Sequence, residues 1–186
     1  APRAPQPWTS PREATAVGGE CSRRGRASSA DNNMVEGGED CLYLNIFSPP
    51  DTQRPLPVMF WIHGGGNTVG SGGSSIYDGS RYASEHNVVV VTINYRLGPF
   101  GWFTHPALRS DEASPQDNSG NYGTLDQIHA LEWVRDNISA FGGDPGRVTI
   151  FGESAGGWNV LAMMASPLAS NLFHGAIVQS GRLDID

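Results

Sequence analysis

The chain has 186 residues, 38% of them hydrophobic and 17% charged, which is enough apolar content for one domain with a core. Twelve basic and 19 acidic residues leave a net charge of −7, which argues against a nucleic-acid or anionic-membrane partner. No run of 18 apolar residues is present, so no membrane span is expected, and no His or further Cys stands at metal-ligand spacing around the two cysteines.

Residues 1–38 are rich in Pro, Ser, Gly, Arg and Asn, and Pro2, Pro5, Pro7 and Pro11 oppose regular structure. This stretch is expected to wrap a domain rather than form one. It lacks a starting Met and a charged-then-apolar leader, so the N-terminus reads as cut by processing or cloning. Cys21 and Cys41 enclose 19 polar, aperiodic residues, which would suit an Ω-like loop closed by a disulfide; two unpaired buried thiols are the other reading.

The first strand is expected at residues 42–47, where Leu42, Leu44 and Ile46 alternate with Tyr43, Asn45 and Phe47. Residues 58–62 form a continuous apolar run, as in a strand buried on both faces, and lead into His63-Gly64-Gly65-Gly66. Three glycines at the end of a buried strand leave backbone N–H groups open to close approach. A phosphate loop would need a Lys after Gly70, where Ser71 stands, so nucleotide binding is set aside. The alternative is an oxyanion hole.

Residues 67–77 are Gly- and Ser-rich and are expected to form a mobile loop over that site. A short helix at 80–86 and a third apolar strand at 88–93 follow, in the manner of a parallel sheet covered by helices. Residues 94–121 read as loop, with Phe100, Trp102 and Phe103 as core plugs rather than pocket walls. Leu125, Ile128, Leu131, Val134, Ile138 and Phe141 make a helical stripe over 125–141, with Thr124 as its cap and Gly142-Gly143 as its left-handed end. A last strand is expected at 176–179.

Between those elements lies Arg147-Val148-Thr149-Ile150-Phe151-Gly152-Glu153-Ser154-Ala155-Gly156-Gly157. A G-x-S-x-G match arises by chance about 0.3 times in a chain of this composition, so the five residues alone decide little. The context decides: a β-branched run stops at Gly152, and a helix-forming run starts after Ser154. This is the sequence of a nucleophile elbow, where a serine sits on a strained turn with bare positions two before and two after. The N–H of Ala155 would then join those of Gly65 and Gly66 around a developing oxyanion.

These motifs resemble the type B carboxylesterases of the α/β-hydrolase fold, which include the cholinesterases. The likeness rests on Glu39-Asp40-Cys41-Leu42-Tyr43-Leu44-Asn45, on Trp61-Ile62-His63-Gly64-Gly65-Gly66, on Asn94-Tyr95-Arg96-Leu97-Gly98 and on Gly120-Asn121-Tyr122-Gly123 with Asp126-Gln127. It is completed by Phe141-Gly142-Gly143-Asp144-Pro145 leading into the elbow. The resemblance implies a nucleophile at Ser154, oxyanion donors at Gly65, Gly66 and Ala155, and a Cys21–Cys41 disulfide, which would suit a secreted or periplasmic setting. Glu153 resembles an acidic residue that the family keeps near its catalytic His; its other reading is plain elbow surface. No cofactor or metal is implied.

Two departures bear on specificity. Family members usually carry an aromatic residue after the triple glycine, and this chain has Asn67. Cholinesterases carry a Trp inside the first disulfide loop, where a cation can lie on its face, and residues 22–40 contain none. The pattern is therefore closer to the bacterial p-nitrobenzyl-type enzymes. The reading from another class is an inactive cholinesterase-like binding or adhesion module, against which Ser154 argues.

A serine needs a His to take its proton and an acid to orient that His, in the order Ser, acid, His for this fold. After Ser154 stand only His174, Asp184 and Asp186, in the wrong order, while His63, His86, His105 and His129 precede it. His63 reads as a residue that orients the glycine loop. The expectation is an N-terminal half of an α/β-hydrolase domain filling residues 1–186, with acid and His downstream, about five of the usual eight strands, and little hydrolysis by this segment alone.

Overall fold

The computed structural model describes residues 1–6, 8–25, 35–50 and 54–182. Two minimal strands, β1 (Arg23–Arg24) and β2 (Val35–Glu36), pair antiparallel inside the loop closed by a Cys21–Cys41 disulfide, and both cysteines are buried. The N-terminal stretch thus carries a short ladder where proline content predicted none. Arg23 fastens it by bonding Glu20 at 2.8 Å and Glu36 at 2.5 Å. Closing a loop of this length removes chain entropy from the unfolded state worth about 3 kcal/mol.

The main sheet holds β3 (Leu44–Phe47), β4 (Leu56–Ile62), β5 (Val89–Ile93), β6 (Gly143–Glu153) and β7 (Gly175–Gln179), in the order β3-β5-β4-β6-β7. All pairs are parallel except β3 with β5. Leu42 and Tyr43, expected in the first strand, precede it. Val-Val-Val-Thr-Ile in β5 is buried at every residue, which is why its sequence shows no alternation. In β4 the burial alternates, with Val58, Phe60 and Ile62 wholly covered. Pro57 cannot donate to a ladder, and the β4–β6 register shifts between Leu56 and Val58, where an irregularity accommodates it.

Helix α1 (Ser80–His86) packs on β5, with the preceding Gly79 against Val90. A single helical turn, α2 (Gly98–Gly101), precedes α3 (Tyr122–Asn137), and α4 (Ala155–Ala165) follows the elbow. Ile128, Leu131 and Val134 of α3 join Val160 and Met163 of α4 over Val58, Phe60, Val148 and Ile150. Each such side chain, fully buried, contributes about 1.5–3 kcal/mol.

Several sequence expectations need correction. Helix α3 starts at Tyr122, so Thr124 is not its cap; the Thr124 hydroxyl instead accepts from Trp102 Nε1 at 3.2 Å. The helix ends at Asn137 and a 3-10 turn continues over Ile138–Phe141, leaving Phe141 exposed; Gly142 alone, at φ 81°, makes the left-handed end. Of the three aromatic residues taken as core plugs, only Trp102 packs on the core, while Phe100 and Phe103 stand half in solvent. Among the described residues no helix is long and apolar enough to cross a membrane.

Candidate active site

Strand β6 and helix α4 meet at Ser154, which has φ 57° and ψ −122°. An L residue with a side chain rarely adopts this region, at a cost of about 1–3 kcal/mol. The strain is imposed from both sides. A Cβ at Gly152 would lie 2.6 Å from the Gly156 carbonyl carbon, and one at Gly156 would fall on the carbonyl oxygen of Ile62 at the end of β4. The elbow can therefore rest on β4 only because both positions are bare. Ser154 N donates to Gln179 O at 2.9 Å, tying the turn to the end of β7 as well.

The glycine loop passes directly over this turn. A Cβ at Gly64 would lie 3.3 Å from Ser154 Cβ, 2.7 Å from Glu153 O and 3.2 Å from Glu153 Oε2. Gly65, Gly66 and Asn67 follow in left-handed conformation at φ 108°, 61° and 57°, and the turn closes as the Thr68 and Val69 amides both donate to Gly65 O at 3.1 Å. Ala155, wholly buried, is the first residue of α4, so its N–H has no acceptor within the helix. Beyond the glycines, residues 67–77 are better anchored than their composition predicts. Gly72 N donates to Asn94 Oδ1 at 2.8 Å, and Thr92 Oγ1 donates to Gly72 O at 2.8 Å.

His63 is 1% exposed, stacked on Tyr95 with ring centroids 4.3 Å apart, and its Nδ1 is 2.8 Å from Gly64 O. A carbonyl can only accept, so Nδ1 carries the proton of a neutral ring. Burial lowers its pKa to about 4, against the smaller opposing effect of that bond. The folded state therefore takes up this proton less readily than the unfolded chain, and stability should be lost as pH falls from about 6.5 through 4. Melting midpoints measured across that window should fall less steeply for His63→Gln, which does not titrate.

The other histidines are occupied away from the elbow. His86 packs at a tilt against Tyr82, His105 Nδ1 accepts from Ala107 N, and His129 meets Glu132 at 3.2 Å. His174 Nδ1 accepts from Val148 N at 3.2 Å, six residues before Ser154 along β6 and so about 20 Å from it. Asp184 and Asp186 lie outside the described residues. Among the described residues, then, a nucleophile position and a donor loop are brought together, and no acid–histidine pair joins them.

Sequence reasoning missed the polar supports of this arrangement. Tyr95 Oη donates to His63 O at 2.7 Å, Asn159 Nδ2 donates to Asn67 Oδ1 at 2.9 Å, and Asp126 takes both arms of Arg96. Each partner lies within or near a motif that was read for its own sake, but pairings over 30 to 90 positions leave no local signal.

A family model described as the carboxylesterase family matches residues 1–184. The chain belongs to that family. It is 49% identical over 182 residues to para-nitrobenzyl esterase of Bacillus subtilis, covering 97% of this chain and 36% of that protein. Carboxylesterase 1D of Rattus norvegicus is also 49% identical, over 191 residues, with 97% and 32% covered. A solved structure of a PNB esterase superposes with a TM-score of 0.81 at 47% identity, covering 95% of this chain and 35% of that one. The fold is therefore the α/β-hydrolase fold, and the chain spans about a third of the length of the curated relatives it matches.

Proposed function

We propose that the complete protein is a serine carboxylic-ester hydrolase working through an acyl-enzyme on Ser154. The observation that carries this reading is the backbone of Ser154 itself. Its strained turn, wedged between two glycines, lies directly beneath the Gly64–Gly66 loop. Such a conformation suits a nucleophile raised at the apex of a sheet strand. The names of the esterase relatives support the same class of substrate, a small carboxylic ester.

In this mechanism Ser154 Oγ attacks the ester carbonyl carbon as its proton passes to a histidine, and the carbonyl electrons move onto the oxygen. Gly65, Gly66 and Ala155 donate N–H groups to that oxyanion, aided by the positive end of α4. Collapse breaks the bond to the alcohol oxygen, which leaves with the histidine's proton; water then releases the acid and restores Ser154. The acid and histidine are assigned to chain outside these 186 residues, because no histidine among the described residues reaches Ser154. Glu153, with its carboxylate against Gly64, would favour the imidazolium formed during transfer.

A fluorophosphonate offered to the complete protein should label Ser154 stoichiometrically, with loss of p-nitrophenyl acetate hydrolysis in parallel. A folded, complete protein that takes up no label would instead be an inactive binding module.

A further inference from the structure

The Gly64–Gly66 loop is fastened at each end by the side chain of a buried residue. At its start the Tyr95 hydroxyl donates to His63 O, 2.7 Å away. At its end Asn159 Nδ2 donates to Asn67 Oδ1, 2.9 Å away. Both donors are buried, Tyr95 wholly and Asn159 nearly so, so neither bond competes with bulk water. Asn159 is 5% exposed and sits on α4, the helix that begins directly after Ser154. Asn67 O accepts in turn from Gly98 N at 2.7 Å, so both its backbone and its side chain are held. The φ of Asn67, 57°, is one that asparagine tolerates.

From this geometry we infer that Asn159 and Asn67 act as paired positioning residues, bridging the nucleophile helix to the donor loop and so fixing the spacing between the Gly65 and Gly66 amides and that of Ala155. Without the bridge, three successive left-handed residues closed only by the Gly65 turn could shift against α4. Oxyanion donors act through placement, and a displacement near 1 Å costs about 100-fold in rate. The inference rests on the esterase reading above.

The test uses the complete protein, p-nitrophenyl acetate and a fluorophosphonate. Asn67→Gly removes the side chain while keeping a left-handed residue free of strain, Asn159→Ala keeps a good helix former, and Asn67→Asp retains an acceptor. Each of the first two should lower kcat about tenfold with KM within about twofold, and slow fluorophosphonate capture to match. The double variant should be no slower than the slower single, since both remove one bridge. Asn67→Asp should keep most of the rate. Singles that melt earlier yet keep kcat within about twofold, or a double that multiplies the two losses, would overturn the pairing. If the unsubstituted protein itself takes no label, the esterase reading fails, and the bridge with it; labelling with unaffected variants removes the bridge alone.

Discussion

Ser154→Ala in the complete protein should lower ester turnover about 10⁶-fold and abolish fluorophosphonate capture, without lowering folded stability. The size of the loss follows from chemistry: no neighbouring hydroxyl replaces the attacking oxygen, and residual hydrolysis falls to what bound water and the N–H donors can supply. The stability half of the prediction follows from backbone geometry. At φ 57° and ψ −122° the Cβ of any L residue is crowded, so alanine keeps the strain while glycine releases it. Ser154→Gly should therefore melt above Ser154→Ala, by the equivalent of about 1 kcal/mol. Kinetics and melting curves on the three proteins check both halves, and an alanine variant within tenfold of the parent rate would remove Ser154 from the mechanism.

Asp126→Ala should destabilise the fold by about 3 kcal/mol, measured as a shift in denaturant midpoint at constant slope. The Asp126 side chain is 0% exposed and accepts from Arg96 N at 3.0 Å, Nε at 2.8 Å and Nη2 at 2.6 Å. Removing it leaves a peptide N–H and a guanidinium without their acceptors, but Arg96 is 27% exposed and water recovers part of the loss. The expected cost therefore stays at the lower end of the range for buried pairs. Asp126→Asn keeps an oxygen for the backbone N–H and should cost about half as much. Because Arg96 follows Tyr95, whose hydroxyl holds His63 O, the alanine variant should also slow capture at Ser154.

What could be read from the sequence is what is written locally. The apolar run of β5 reports burial on both faces, the glycines flanking Ser154 report a turn with no room for side chains, and the stripe at Ile128, Leu131 and Val134 reports one helical face, whereas the equally apolar run of β4 overstates its burial, since Met59 and Trp61 are only partly covered. The exposure of Phe100 and Phe103 was not legible, because an aromatic ring in a loop carries no mark of which neighbours reach it. Nor was the helix start at Tyr122, where Asn121 caps without a side-chain bond. The site divides in the same way: Ser154, Gly65 and Gly66 stand out by type and spacing, while Asn159, Tyr95 and Asp126 gain meaning only when distant segments meet.

The order of the strands also sets a timetable for synthesis. β4 pairs with β5 soon after α1 is made, but its other edge waits for β6, since Ile62 lies opposite Gly152. Some 90 residues separate them, and at about 5–20 residues per second the wait is on the order of 10 s. Throughout that interval one edge of β4, a strand with three wholly buried side chains in the finished fold, stands open to mispairing until the elbow strand is made.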